Sequence, residues 1–237
     1  MTRHSYVVCA VKPWNHRAFV RRTPELPGAW HLVQSPSDFT LASLEKISPR
    51  YIFFPHWSWR VPTNILQRFV CICFHMTDLP YGRGGSPLQN LIIRGHETTT
   101  LTALRMVEEL DAGPVYLKRP LSLEGRAEEI FGRAADLTYD MIGDIIERDI
   151  SPVPQEGEPV VFARREPQQS VLPRDGTPSS LYDFIRMLDA PTYPKAFIDW
   201  GQWRIEFDRA NAAPDSVEVR ALIRRKEKPH EESKEEQ

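Results

Sequence analysis

Histidine, the side chain best suited to moving protons near neutral pH, occurs at position 75 directly after a short apolar run. The run spans Phe69–Phe74, and the turn that follows contains Gly82, Gly84 and Gly85. Glycines let the backbone approach a ligand closely or adopt positive φ angles, and open α/β sheets bind ligands beyond the carboxyl ends of their strands. The pattern therefore predicts a site of proton transfer at His75. The alternative is a structural histidine whose ring is satisfied within the core.

Asp111 is the second candidate for chemistry. It precedes Gly113 and Pro114, which is typical of a turn aspartate, and an apolar run follows at once. We predict that Asp111 and His75 meet in space, since each stands at the boundary of an apolar strand. Arg83, between the glycines, would either bind a carboxylate or lock the turn.

A third cluster lies in the segment Pro55–Trp59, which places two indoles and the imidazole of His56 in one loop. Indole rings stack on flat heterocycles and commonly line ligand pockets. Trp57 and its neighbours would therefore wall a pocket for such a ligand, or else plug the end of the sheet. The sequence leaves both interpretations open.

Short apolar runs alternating with amphipathic segments must position these residues. This order predicts an α/β fold, a Rossmann-like and mostly parallel sheet flanked by helices. The predicted strands are Tyr6–Val11, Trp30–Gln34, Tyr51–Phe54, Phe69–Phe74, Thr99–Arg105 and Val115–Leu117. The predicted helices are Asn15–Arg22, Ser37–Lys46 and a long one from Ser122 or Glu124 to Arg148.

Domain boundaries follow from composition. We expect a catalytic domain over residues 1–154, because the proline-rich stretch SPVPQEGEP has the character of a linker. Residues 155–224 would form a small C-terminal extension that contains a helix and a β-hairpin. Residues 225–237, a run of mixed charges, would be a disordered tail.

The overall composition excludes several classes of function. A net charge of −2 over 237 residues gives no basic surface for nucleic acid. No apolar run reaches the length of a membrane span, so we expect a cytoplasmic protein without a membrane partner. The segment after the first predicted strand, KPWNHRAFVRR, lacks a glycine fingerprint for a dinucleotide. Cys71 and Cys73 have no further cysteine near them in the sequence, so no metal site is predicted.

Taken together, these motifs resemble the 10-formyltetrahydrofolate-dependent formyltransferases, and most closely those that act on sugars. The resemblance lies in the combination of motifs and runs from about Tyr51 to Phe207. The matching residues are His75, Leu79-Pro80, Arg83-Gly84, Pro87, Glu97-Thr98, Thr102, Asp111-Ala112-Gly113, Ile185-Arg186 and Pro194-Lys195-Ala196-Phe197.

The resemblance implies transfer of a formyl group from 10-formyltetrahydrofolate, as co-substrate, to a primary amine. His75 would receive or relay the proton of the amine, and Asp111 would orient the imidazole. The loops after two strands would hold the pterin ring. The residues implied to contact the folate are Phe54, His56, Trp57, Arg83, Gly84, Met106 and Leu110.

Cys73 departs from the family motif, which has an asparagine two positions before the histidine. A thiol is a poor hydrogen-bond donor toward an oxygen that gains charge, and the loss of one such donor costs about two to three orders of magnitude in rate. Cys73 therefore occupies a catalytic position with altered chemistry. His56, Gln89, Asn90 or a charged His75 would be the substitutes.

The acceptor implied by the resemblance is a nucleotide-linked amino sugar. Few residues follow the predicted catalytic domain, and the charge gives no reason to expect tRNA. Edge strands in the C-terminal hairpin would allow a homodimer. The alternatives are a formyltetrahydrofolate hydrolase and a protein that binds folate or a sugar nucleotide with weakened catalysis.

Overall fold

The computed structural model describes residues 4–226, and the chain divides into two compact units, Met1–Arg165 and Glu166–Gln237. The strands are β1 Ser5–Ala10, β2 Ala29–Val33, β3 Tyr51–His56, β4 Cys71–His75, β5 Tyr81–Gly84, β6 Thr98–Arg105, β7 Val115–Ser122, β8 Val160–Phe162, β9 Ala196–Trp200, β10 Trp203–Ala213 and β11 Ser216–Arg225. The helices are α1 Pro13–Arg22, α2 Leu41–Ile47, α3 Thr63–Arg68, α4 Pro87–Ile93, α5 Ala127–Arg148 and α6 Pro178–Arg186.

Six strands of the first unit form one sheet in the order β2-β1-β3-β4-β6-β7. Strands β1 to β4 run parallel, whereas β6 is antiparallel to both β4 and β7. The predicted fold class, a mostly parallel sheet with flanking helices and a C-terminal β extension, is confirmed. The carboxyl ends of β1, β3 and β4 lie at the same edge of the sheet, where such folds bind ligands.

The core explains why the sequence contains nearly continuous apolar runs. Strands β1 and β3 are buried along most of their length, as parallel strands covered on both faces must be. The long helix α5 buries one face and packs on α1, β6 and β7. These contacts fix the strand ends that carry the candidate residues.

Several predicted elements have different boundaries in the structure. The helix expected from Ser37 begins at Leu41, because Thr40 caps it by accepting a hydrogen bond from the backbone N–H of Ser43. Strand β7 continues to Ser122 through Pro120, which is tolerated because β7 is an edge strand. The helix expected from Ser122 or Glu124 begins only at Ala127, where the carboxylate of Glu129 accepts the backbone N–H of Arg126.

The glycine-rich turn after His75 contains strand β5, which the sequence analysis missed. β5 pairs in parallel with β8, and the backbone of Val153 pairs with that of Val115. The segment predicted as a linker is therefore held against the first unit. For this reason the boundary between the units falls after Arg165, further along the chain than the predicted position 154.

The second unit contains α6 and an antiparallel sheet in the order β11-β10-β9. The predicted hairpin is present as β9 and β10, and β11 adds a third strand. Of the predicted tail at 225–237, residues 227–237 lie outside the described part of the chain. Among residues 4–226 no helix is both long and apolar enough to cross a membrane.

Candidate active site

His75 is the last residue of β4 and lies opposite Thr102 of β6. Its Nε2 atom is 2.7 Å from the carbonyl oxygen of Gly82, and its Nδ1 atom is 3.6 Å from Oδ2 of Asp111. The two side chains are only 10% and 9% exposed. The structure thus brings together two residues that are distant in the sequence, and both ring nitrogens face oxygen acceptors.

The backbone conformation of Asp111 places its carboxylate next to the imidazole ring of His75. Asp111 has a φ of +55°, in the left-handed region, and its Oδ2 atom accepts the backbone N–H of Gly84 at 2.9 Å. A Cβ atom at Gly113 would lie 1.8 Å from the carbonyl oxygen of Arg105, so only glycine fits there. The loop with Asp111 therefore packs tightly on the end of β6.

Two threonines and a lysine hold the turn after His75. Thr102 donates its hydroxyl to the carbonyl of Thr77 at 2.6 Å, and Thr77 donates to the carbonyl of Gly82 at 3.3 Å. Lys118 donates to the carbonyl of Leu79 at 2.6 Å. These bonds fix the carbonyl of Gly82 that faces the imidazole, and they join segments that no local sequence pattern connects.

Arg83 and Gly84, both implied to contact folate, make contacts within the protein. Arg83 donates to Oε1 of Gln155 at 2.9 and 3.2 Å and pairs with Glu109 at 3.2 Å. Gly84 uses its backbone N–H on Asp111. Of the two roles open to Arg83, these contacts favour locking the turn. Gln155 went unnoticed because its segment has the composition of a linker.

Cys73 lies on β4 two residues before His75, so the two side chains share a face of the sheet. It is partly buried and packs on both an aromatic cluster around Phe54 and an apolar cluster that contains Leu79. Burial, and then the charge of Asp111, raise the pKa of the Cys73 thiol well above its ordinary value. The thiol is therefore protonated at neutral pH and offers a weak S–H donor rather than a nucleophile.

Asn90, one of the suggested substitutes for the missing asparagine, is already engaged elsewhere. Its Nδ2 atom donates to the carbonyls of Gly85, Ser86 and Ala163 at 3.0–3.1 Å. It is not available as a donor at the site.

Phe54 is part of a buried apolar cluster in the core of the first unit, and the partly buried Trp57 and Met106 pack against that cluster. Trp57 packs edge-on against Phe54 and Phe39, with ring centroids 5.9 and 5.7 Å away. Its indole Nε1 atom is buried, and it has no hydrogen-bond partner in the part of the chain that the structure describes. A buried donor without an acceptor is costly, so this position suits a ligand that supplies one.

His56 and Leu110 lie apart from that cluster. The His56 ring packs edge-on against Trp14 and Phe131, with centroids 5.6 and 5.3 Å away. Burial, and then the positive charge of Lys12, lower the pKa of His56 to about 3, so it is neutral at physiological pH. Leu110 is 69% exposed.

The arrangement supports proton transfer at a polar centre beside an apolar wall. His75 can accept a proton while Asp111 compensates the resulting charge. Within residues 4–226 no group of three or more His, Cys, Asp or Glu side chains could hold a metal ion.

Comparisons with known proteins identify similar families and folds. The family model described as "Methionyl-tRNA formyltransferase, C-terminal domain" matches residues 167–224. The methionyl-tRNA formyltransferase of Rickettsia canadensis is 30% identical over 139 residues, which cover 56% of this chain and 46% of that protein. The chain spans about half the length of the curated relatives it matches.

Solved structures extend the likeness. A structure described as methionyl-tRNA formyltransferase from Clostridium thermocellum has 40% identity and a TM-score of 0.91, covering 94% of this chain and all of that one. HypX from Aquifex aeolicus in complex with tetrahydrofolic acid shares the fold, with 18% identity, a TM-score of 0.71, and 88% and 37% coverage. A sugar N-formyltransferase from Shewanella also shares it, with 15% identity, a TM-score of 0.60, and 83% and 92% coverage.

Proposed function

The chain belongs to the formyltransferase family, and on that premise we propose that it transfers the formyl group of 10-formyltetrahydrofolate to a primary amine. The observation that carries the proposal is the His75–Asp111 pair, with 3.6 Å between Nδ1 and Oδ2 at the end of β4. A hydrogen-bonded imidazole at this position can take the proton that an attacking amine must lose.

The reaction forms a bond between the amine nitrogen and the formyl carbon and breaks the bond from that carbon to the folate nitrogen, which leaves with a proton. The bound folate supplies the activated formyl group. His75 accepts the proton of the amine, and Asp111 holds the ring in place. In this proposal Cys73, on the same face of β4 as His75, would be the weak S–H donor toward the formyl oxygen.

The apolar cluster at the end of β3 would hold the flat ring of the folate. Phe54 and Trp57 pack edge-on there, and Met106 packs against the same core cluster. The buried indole N–H of Trp57 suits an acceptor atom of the pterin. The fit is favourable because flat heterocycles bind against aromatic side chains with few polar contacts.

For the acceptor we infer a small amine, and specifically a nucleotide-linked amino sugar. Residues 166–226 carry nine basic and nine acidic side chains. On the C-terminal sheet, Arg204 pairs with Asp199 at 3.0 Å and Arg224 with Glu206 at 2.7 Å. Binding to a polyphosphate backbone needs cations that are not already neutralised. The charge pairing therefore favours a small acceptor.

Methionyl-tRNA is the second candidate. The relatives with about 30% identity are named methionyl-tRNA formyltransferases, and the matching C-terminal family model carries the same name. Under this alternative the amino group of the charged methionine would take the formyl group. A homodimer and a cytoplasmic location stay predictions.

The decisive experiment incubates the purified chain with 10-formyltetrahydrofolate and, separately, a panel of nucleotide-linked amino sugars, charged initiator tRNA, or no amine. Release of tetrahydrofolate and formylation of the acceptor are both measured. Turnover that requires an amino sugar supports the first candidate, and formylated methionyl-tRNA supports the second. Turnover without any amine indicates a hydrolase. Folate binding without turnover under any condition would overturn the proposed activity.

A further inference from the structure

We propose that Gln155 is a positioning residue that holds Asp111 against His75, a role that rests on the proposed formyl transfer. Gln155 lies in the proline-rich segment after α5, outside every motif that the sequence analysis singled out. Its side chain nevertheless connects the loop with Asp111 to the turn after His75.

Every hydrogen-bonding position of the Gln155 amide is used. Its Nε2 atom donates to the carbonyl of Asp111 at 2.7 Å and to that of Gly113 at 2.9 Å. Its Oε1 atom accepts from Nε and Nη2 of Arg83 at 3.2 and 2.9 Å. One side chain thus joins three segments.

Gln155 contacts the loop at Asp111, where the backbone conformation is most constrained. Asp111 has a left-handed backbone, which is unfavourable for a residue other than glycine and persists only where its surroundings enforce it. The two donors of Gln155 satisfy the carbonyls on either side of Ala112. Gln155 thus holds the peptide carbonyls of the loop, while the backbone N–H of Gly84 holds the carboxylate of Asp111.

The segment that carries Gln155 is itself anchored. The backbone of Val153 exchanges two hydrogen bonds with Val115, at 2.7 and 2.9 Å, where β7 begins. Arg83, which donates to the side chain of Gln155, directly follows Gly82 in the sequence. The carbonyl of Gly82 faces Nε2 of His75. The amide of Gln155 therefore connects the loop that carries Asp111 with the residue that follows Gly82.

The principal test compares Gln155→Ala with Glu156→Ala, a neighbouring exposed position that serves as the matched control. We expect Gln155→Ala to lower kcat about 30-fold, because a misplacement of ~1 Å in an active site costs about two orders of magnitude. Glu156→Ala should stay within twofold of the unmodified protein. A Gln155→Ala variant with unchanged kcat and an unchanged pH profile would overturn the proposal.

A double-mutant cycle with Asp111→Asn separates positioning from general support of the fold. If Gln155 acts through the carboxylate of Asp111, adding Gln155→Ala to Asp111→Asn changes kcat by less than about twofold, because interacting sites are not additive. The pH dependence of kcat should also change in the same way in both single variants. Full additivity would contradict the role.

Gln155→Glu gives a second, nearly isosteric variant. It keeps the acceptor for Arg83 but replaces the two donors by a carboxylate that faces two carbonyls. We expect it to fold and to lose at least as much kcat as Gln155→Ala. Recovery of kcat to the unmodified level in Gln155→Glu would count against the donor role.

The ring nitrogen signals of His75 in ¹⁵N NMR provide a readout that does not need turnover. The chain has seven histidines, and His75→Asn identifies the signal by its loss. A shift of this signal in Gln155→Ala, with none in Glu156→Ala, supports the positioning role even if no acceptor is ever formylated. An unmoved signal overturns it, whereas absent turnover in the unmodified protein overturns only the proposed function.

Discussion

Two histidines are the last residues of neighbouring parallel strands, and different groups surround their imidazole rings. His56 ends β3 among aromatic rings and near Lys12, whereas His75 ends β4 between a carboxylate and a backbone carbonyl. The residue type and the position on the sheet are the same. The groups that face the two rings differ, and burial together with the charge of Lys12 keeps the ring of His56 neutral.

This difference shows how the fold separates binding from proton transfer. The end of β3 consists of packed rings with one buried indole donor left over. The end of β4 is a network of hydrogen bonds shaped by glycines. The end of β3 suits the binding of a flat ligand, and the end of β4 suits proton transfer.

The largest effect expected is on catalysis. His75→Asn should lower kcat about 1,000-fold, since general acid–base groups contribute about 10² to 10⁴, and should leave folate affinity within a few-fold. The matched control, His56→Phe, keeps an aromatic ring against Trp14 and Phe131 and should stay within about threefold of the unmodified kcat. Steady-state kinetics and folate titration measure both. Equal losses in the two variants would abolish the distinction between the two histidines.

A substitution at Cys73 tests whether the site at the end of β4 lacks a hydrogen-bond donor for the formyl oxygen. Cys73→Asn places an amide where formyltransferases have asparagine, and we expect kcat to rise about tenfold, a conservative share of the two to three orders of magnitude that such a donor contributes. Single-turnover formyl transfer measures the change, with circular dichroism as a check of the fold. A folded Cys73→Asn variant with unchanged or lower kcat would mean that another group already stabilises the formyl oxygen.

A third effect concerns stability in acid and not catalysis. Because the pKa of His56 is about 3 in the folded protein and near 6.5 in the unfolded chain, the unfolded chain binds the extra proton as the pH falls below 6.5. The free energy of unfolding should therefore decrease by up to ~1.4 kcal/mol per pH unit between pH 6 and 4. His56→Phe should remove this contribution, and urea unfolding at several pH values measures it. Parallel curves for the two proteins would show that His56 is protonated when folded.

Much of this comparison was accessible from the sequence. The β-branched and aromatic runs predicted the sheet, and the glycines after His75 together with Gly113 predicted a tight turn and a loop. These features are local, since they depend on the residues of one segment. The proximity of His75 and Asp111 also follows from the motif, although it is a tertiary contact.

The rest depends on contacts between distant segments. Strand β5 is four residues long and contains two glycines, so its pattern is that of a turn, and only its pairing with β8 makes it a strand. Gln155 has the surroundings of a linker residue. The neutral state of His56 depends on Lys12 and on rings from two helices, which no local pattern shows.

Because β8 occupies residues 160–162, a chain emerging from the ribosome cannot complete the turn after His75 until α5 and the proline-rich segment have been made. A fragment cut at Pro154 would keep all six strands of the large sheet together with His75 and Asp111. It would lack both Gln155 and the partner of β5. We expect such a truncated protein to fold but to lack formyl-transfer activity.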